Sequence, residues 1–161
     1  MMNPGQRPVP RDLVRYWAQA DGERPAAVTA REVLSYAELH ARVEAIADQL
    51  RSLGVGPGVP VGLAFPNSLD YILWLFGIFE AGGVAVPVDP RSNAIELNTL
   101  AATAGFRLIA GADVPMTFPW QSLPALSVAA GKLWQSPEER QDDQHDLIDG
   151  VLVQQFTSGS G

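Results

Sequence analysis

The sequence predicts an α/β fold: part of a three-layer arrangement in which a mostly parallel sheet carries helices on both faces. Three observations predict it. Helix-like and strand-like segments alternate from about residue 11 to residue 110. The strand-like runs Val59–Phe65 and Val84–Val88 are apolar throughout, as expected of strands covered from two sides. Leu69–Glu80 is apolar around almost its whole circumference, the pattern of a buried helix.

Residues 1–10 are a Pro-rich lead-in. Leu13, Tyr16, Trp17 and Ala20 then recur at helical spacing, and Asp21-Gly22 ends that short helix. Ala26–Thr29 and Val33–Leu34 read as two short strands around Ala30–Glu32. Ser35-Tyr36-Ala37-Glu38 fits a capping box, in which serine and glutamate each satisfy a free amide of the first turn. Leu39, Val43, Ile46, Leu50 and Leu53 follow as one apolar helical stripe, and Gly54 is a suitable stop. After the strand Val59–Phe65, Asn67 or Ser68 can cap the helix that begins at Leu69. Gly82-Gly83 ends it. Val84–Val88 is a strand, Asp89-Pro90 a turn, Asn93–Ala104 a third long helix closed by Gly105, and Arg107–Ala110 a further strand.

Residues 111–150 lose this rhythm and form an irregular, acidic excursion with four prolines. Leu126–Ala129 reads as a short strand within it, and Glu138–Asp146 as a solvated loop. Residues 151–161 return to order: Val151–Phe156 is an apolar strand running into Thr157-Ser158-Gly159-Ser160-Gly161.

Composition excludes several classes of function. The chain has 161 residues, 47% of them apolar and 18% charged, which argues against wholesale disorder. With no cysteine there is no disulfide framework, thiol nucleophile or cysteine-ligated metal. A net charge of −7 disfavours nonspecific nucleic-acid binding. The apolar run Tyr71–Phe79 is too short to span a bilayer, which needs about 20 residues, so no transmembrane segment is expected. No apolar signal core lies in residues 1–15. The expectation is a soluble, cytoplasmic protein.

Several residues invite a chemical reading and receive a plainer one. Gly54-Val55-Gly56-Pro57-Gly58 follows a helix and precedes a strand, the reverse of a dinucleotide fingerprint, so it is a helix-to-strand turn. His40 lies beside the apolar stripe with no evident partner, and His145 lies among acids in the loop; both read as ordinary histidines. Asp70 and Glu80 sit at opposite ends of one helix and read as helix-end charges. Trp17, Trp74, Trp120 and Trp134 read as packing residues. The run Thr157–Gly161 has two readings. It is a flexible Ser/Gly tail, or a nest whose amides and hydroxyls converge on phosphate oxygens.

Four stretches, in order, resemble the adenylate-forming (AMP-binding) superfamily. They are Leu34-Ser35-Tyr36-Ala37-Glu38-Leu39; Val61 through Ser68; Phe79 through Pro90, with its Ala81-Gly82-Gly83 and Val86-Pro87-Val88-Asp89-Pro90; and Gln155 through Gly161. The turn after Pro90 is more similar to acyl-CoA synthetases and fatty acyl-AMP ligases than to peptide-synthetase adenylation domains. The resemblance implies that Thr157, Ser158, Gly159, Ser160 and Gly161 bind the ATP phosphates. It further implies ATP and Mg2+ as cofactors, a small-molecule carboxylate as substrate, and CoA or a carrier-protein phosphopantetheine arm as acyl acceptor. The reaction would be carboxylate plus ATP to acyl-adenylate plus pyrophosphate, then acyl transfer to the thiol.

Departures qualify this expectation. The run stops before the family's proline–lysine–glycine segment, so the fold is expected to be truncated at the phosphate loop. The sole lysine, Lys132, matches no family position. No catalytic or metal-ligating residue is assigned. Residues 1–161 then correspond to the N-terminal portion of the large domain. Its rivals are a noncatalytic α/β interaction module, one half of a split ligase whose C-terminal half is a separate partner, or a small complete nucleotide-binding domain. The 161-residue polypeptide alone is expected to form no acyl-adenylate. An acid-dependent exchange of labelled pyrophosphate into ATP by the purified chain contradicts that expectation.

Overall fold

The computed structural model describes residues 12–115, 120–124 and 126–137. The expected lead-in 1–10, the acidic loop with His145, the strand Val151–Phe156 and the run Thr157–Gly161 lie outside the described residues.

Among the described residues eleven elements follow in chain order: α1 (Leu13–Asp21), β1 (Pro25–Val28), β2 (Val33–Ser35), α2 (Tyr36–Ser52), β3 (Pro60–Ala64), α3 (Leu69–Glu80), β4 (Val84–Pro87), α4 (Ala94–Ala104), β5 (Leu108–Gly111), β6 (Gln121–Ser122) and β7 (Lys132–Gln135). Local chemistry explains most of the boundaries. The hydroxyl of Ser35 accepts the Glu38 amide at 3.2 Å, the serine arm of the expected capping box. Ser68, rather than Asn67, caps α3 by accepting the Tyr71 amide. Asn93 caps α4 through the Glu96 amide at 2.9 Å. At the far end of α4, Gly105 takes the left-handed conformation, φ 80°, that L side chains disfavour.

β1 and β2 form a separate antiparallel hairpin. Its turn is held by Thr29, whose hydroxyl accepts the amides of Arg31 and Glu32. The main sheet has the order β4-β3-β5-β7-β6. β3 pairs in parallel with β4, Pro60 opposite Val84, and with β5, Gly62 opposite Ile109. All five residues of β3 are buried. Val61 and Leu63 face one core, shared with Leu39, Val43, Ile46 and Leu50 of α2 and Leu73, Trp74 and Ile78 of α3. Ala64, Val86 and Ile109 face a second core, with Leu97 and Ala101 of α4 and the ring of Phe106. Helices thus cover both faces of the parallel strands, as the sequence predicts.

Two expectations are corrected. The strand lies at β7, not at Leu126–Ala129; residues 127–131 form turns and bends. Gly131, at φ 90°, turns the chain, and then Leu133 of Lys132–Gln135 buries itself in the first core. β7 runs antiparallel to β5, and β6 antiparallel to β7, so the sheet is mixed. The second correction concerns α3. Among the described residues it is not covered all round: Ile72 is exposed, and Leu69, Tyr71, Leu75 and Phe76 are half-buried.

α2 and α3 meet closely at Gly77. A Cβ there would lie 2.9 Å from the Cβ of Ile46, a branched and wholly buried side chain that cannot swing aside. Alanine is the better helix former by about 1 kcal/mol, but overpacking a tight core costs about 1–3 kcal/mol. Gly77→Ala is therefore expected to lower stability on balance, by about 1 kcal/mol, in a urea melt. An unchanged midpoint would show that the two helices do not meet in this way.

Candidate functional site

In open α/β sheets, ligands bind where loops leave the carboxyl ends of neighbouring parallel strands for opposite faces. β3 and β4 are such a pair. Residues 65–68 lead from β3 to α3 in the first core, and residues 88–93 lead from β4 to α4 in the second. The rim between them is polar and accessible: Asn67, Ser68, Asp89, Arg91 and Asn93 are all exposed.

The second loop is internally braced. Asp89 Oδ1 accepts the Arg91 amide at 2.8 Å, and the Arg91 guanidinium donates to both carboxylate oxygens at 3.2 and 3.1 Å. Those side-chain hydrogen bonds hold the Asp89 carboxyl below its ordinary range, and the carboxylate in turn raises Arg91.

A third segment crosses the carboxyl ends of β3 and β5. Asp70 accepts the Ala130 amide at 3.0 Å, and the Trp74 indole donates to the Ala130 carbonyl at 3.0 Å. Phe65 stacks on Trp74 with ring centres 6.3 Å apart. Gly131 rests against Phe65 and the Gly111 carbonyl so closely that a Cβ would lie 2.6 Å from the phenyl ring. Asp70 is thus more than a helix-end charge; it and Trp74 hold residues 126–131 over the sheet. At the opposite, amino end of β3 and β5 is a hollow of about 460 Å³, lined by Leu53, Val55, Val59, Pro60, Arg107 and Leu108.

The residues expected to bind phosphate, Thr157, Ser158, Gly159, Ser160 and Gly161, lie outside the described residues, as does His145. The tryptophans Trp17, Trp74, Trp120 and Trp134 pack as expected. Trp74 is fully buried, Trp120 donates to Asn98 Oδ1 at 2.7 Å, Trp134 lies against the second core, and Arg24 sits over the Trp17 ring. Gly54 and Gly58 both adopt positive φ between α2 and β3, a turn and not a nucleotide loop. What sequence reading missed is the Asp70–Ala130–Trp74 tether. Its partners are 56 and 60 residues apart, so no local pattern marks it.

This architecture gathers its loops at the carboxyl ends of parallel strands, where open α/β sheets bind their ligands. The family of AMP-binding enzymes matches residues 14–160, and the chain belongs to it. Feruloyl-CoA synthase of Amycolatopsis sp is 35% identical over 134 residues, covering 79% of this chain and 26% of the relative. Tyrocidine synthase 2 of Brevibacillus parabrevis is 29% identical over 152 residues, covering 92% of this chain and 4% of the relative. Among solved structures, a Mycobacterium tuberculosis fatty acyl CoA synthetase superposes with a TM-score of 0.58 at 27% identity. That match covers 63% of this chain and 20% of the synthetase. The chain thus spans from 4% to 26% of the length of these proteins. The family uses ATP and passes an acyl group to an acceptor. No helix among the described residues is long and apolar enough to cross a membrane.

The bracing of the 88–93 loop has a measurable consequence. Asp89 is expected to titrate below a free aspartate in a carbon-detected NMR titration. The Asp89–Arg91 contact persists above that midpoint and is lost as pH falls through it. Arg91→Gln is expected to move the midpoint back up; an unmoved midpoint would mean that the two side chains do not meet.

Proposed function

We propose that this chain is the N-terminal portion of the large domain of an ATP-dependent carboxylate-activating ligase, with residues 11–110 as its α/β subdomain. The observation that carries the reading is the family match, which runs to residue 160 and so takes in the Thr-Ser-Gly-Ser run. In this reading the amides and hydroxyls of Thr157, Ser158, Gly159, Ser160 and Gly161 grip the ATP phosphates. A substrate carboxylate oxygen attacks the α-phosphorus, the bond to the β-phosphate oxygen breaks, and pyrophosphate leaves. A thiol then attacks the acyl carbon, the mixed anhydride breaks, and AMP leaves. Positioning and stabilisation of phosphate charge supply most of the catalysis. Mg2+ accompanies the nucleotide as its counter-ion, and no residue of this chain is assigned to it.

Likeness to feruloyl-CoA synthase over most of the chain favours CoA as the acceptor. A carrier-protein phosphopantetheine arm is the alternative. A place in fatty-acid metabolism and in the cytoplasm belongs to the same reading as an expectation of the family resemblance.

The test begins with the intact mass of the protein from its native source, followed by ATP–pyrophosphate exchange on that protein. A native protein several-fold heavier than 17.3 kDa is expected to exchange, and only with an added carboxylic acid, whereas the 161-residue chain by itself is not. Replacing Thr157 and Ser158 together by alanine is expected to lower that exchange by about 10²-fold, the scale for losing donors to transition-state charge. Full exchange by that variant would remove the phosphate-loop assignment. Acid-independent behaviour of the native protein would remove the ligase reading itself.

A further inference from the structure

Three helices converge at the C-terminal end of α3. His40 and Glu44 are one turn apart on α2, so their side chains share a face. Glu80 is the last residue of α3, and its side chain is only 2% exposed. One ligand atom from each of the three lies within 4.8 Å of the others. His40 Nε2 is 3.5 Å from Glu44 Oε1. That nitrogen is buried and has no hydrogen-bond partner among the described residues; the Glu44 carboxylate faces it at ion-pair distance.

We propose that His40, Glu44 and Glu80 form a binding site for a divalent transition-metal ion of the zinc class, joining α2 to α3. The donor set supports this ion type. One imidazole nitrogen and two carboxylate oxygens suit zinc, whereas magnesium and calcium prefer all-oxygen shells. Around a tetrahedral ion with bonds of about 2.0–2.2 Å, neighbouring donors lie about 3.4 Å apart. The His40–Glu44 spacing already meets that figure, and a Glu80 carboxylate oxygen lies within 4.8 Å of both. Ligation would satisfy the orphaned imidazole nitrogen and neutralise two carboxylates at once. Three protein ligands leave one position for water.

The other charged groups here fit a metal-free state of the same site. Arg15 of α1 pairs with the Glu80 carboxylate. A buried carboxylate needs such a cation when no metal is present. The Arg15 side chain is 44% exposed, so it rehydrates readily when an ion takes its place. Arg51 donates to the Glu80 main-chain oxygen at 2.8 Å, holding the helix end without engaging the carboxylate.

The test is titration of chelator-stripped protein with Zn2+ by calorimetry, and with Co2+ by visible absorption. His145 is the only other histidine and serves as the control. Wild type and His145→Gln are expected to bind one ion per chain, with the intense cobalt bands of a tetrahedral site. His40→Gln and Glu44→Gln change partly exposed side chains and are expected to keep the fold. Each is expected to weaken binding by about tenfold or more and to lose the cobalt bands. Should either variant misfold, the other decides. The proposal is overturned by absence of saturable one-to-one binding. It is equally overturned by binding that His40→Gln and Glu44→Gln leave unchanged, or that His145→Gln abolishes.

Discussion

The fold depends on burying β3 on both faces at once. Every residue from Pro60 to Ala64 is buried, and both parallel neighbours hydrogen-bond to this strand. The two faces are unequal. Val61 and Leu63 present branched side chains to α2 and α3. On the other face stand the smaller Gly62 and Ala64. A Cβ on Gly62 would lie 3.0 Å from both Ile109 and the Phe106 ring. The small residues let Phe106 lie against the sheet and bring α4 down beside it. α3 leads from β3 out to β4, and α4 leads back past β3 to β5, so right-handed connections put the two helices on opposite faces and the loops at the strands' carboxyl ends part.

Ties between distant segments then hold the helices in place. Arg15 anchors α1 to the buried Glu80 of α3, and Arg51 of α2 holds the same helix end through its carbonyl. At the opposite end of α3, Asp70 and Trp74 bind the two main-chain groups of Ala130. α3 therefore works as a strut: one end organises the helix junction, and the other holds the turn that feeds β7 into the sheet. Its buried residues serve the core, while the half-buried Leu75 and Phe76 and the exposed Ile72 form an apolar flank.

The candidate site was legible in the sequence to different depths. The motifs from Leu34 to Pro90 point to the family because they mix structural punctuation with a fixed order. Ser35 is a cap, Gly82 takes positive φ at 87°, and Asp89 braces a loop through Arg91. Each role follows from neighbours a few residues away. The phosphate-loop assignment rests on the resemblance of Thr157–Gly161 to a family motif, and those residues lie outside the described residues. The sequence reading found no partner for His40, although Glu44 lies one helical turn away. Glu80 joins them only because α3 packs along α2.

The sequence by itself determined the elements from α1 to β5 and their order, because capping, helical periodicity and glycine conformation act over one or two turns of chain. It also carried the α/β class, since alternating elements with strands apolar on both faces have few other ways to be buried. Tertiary structure decided which face of α3 is covered and that β7 runs antiparallel. It also decided that Lys132–Gln135, rather than Leu126–Ala129, forms the strand, and that residues 40 and 80 share a site. These outcomes turn on contacts between segments far apart in the chain. Short runs such as Leu-Ser-Val-Ala at 126–129 and Lys-Leu-Trp-Gln at 132–135 differ little in local preference. The choice between them falls to the tether on Ala130, the turn at Gly131 and the burial of Leu133.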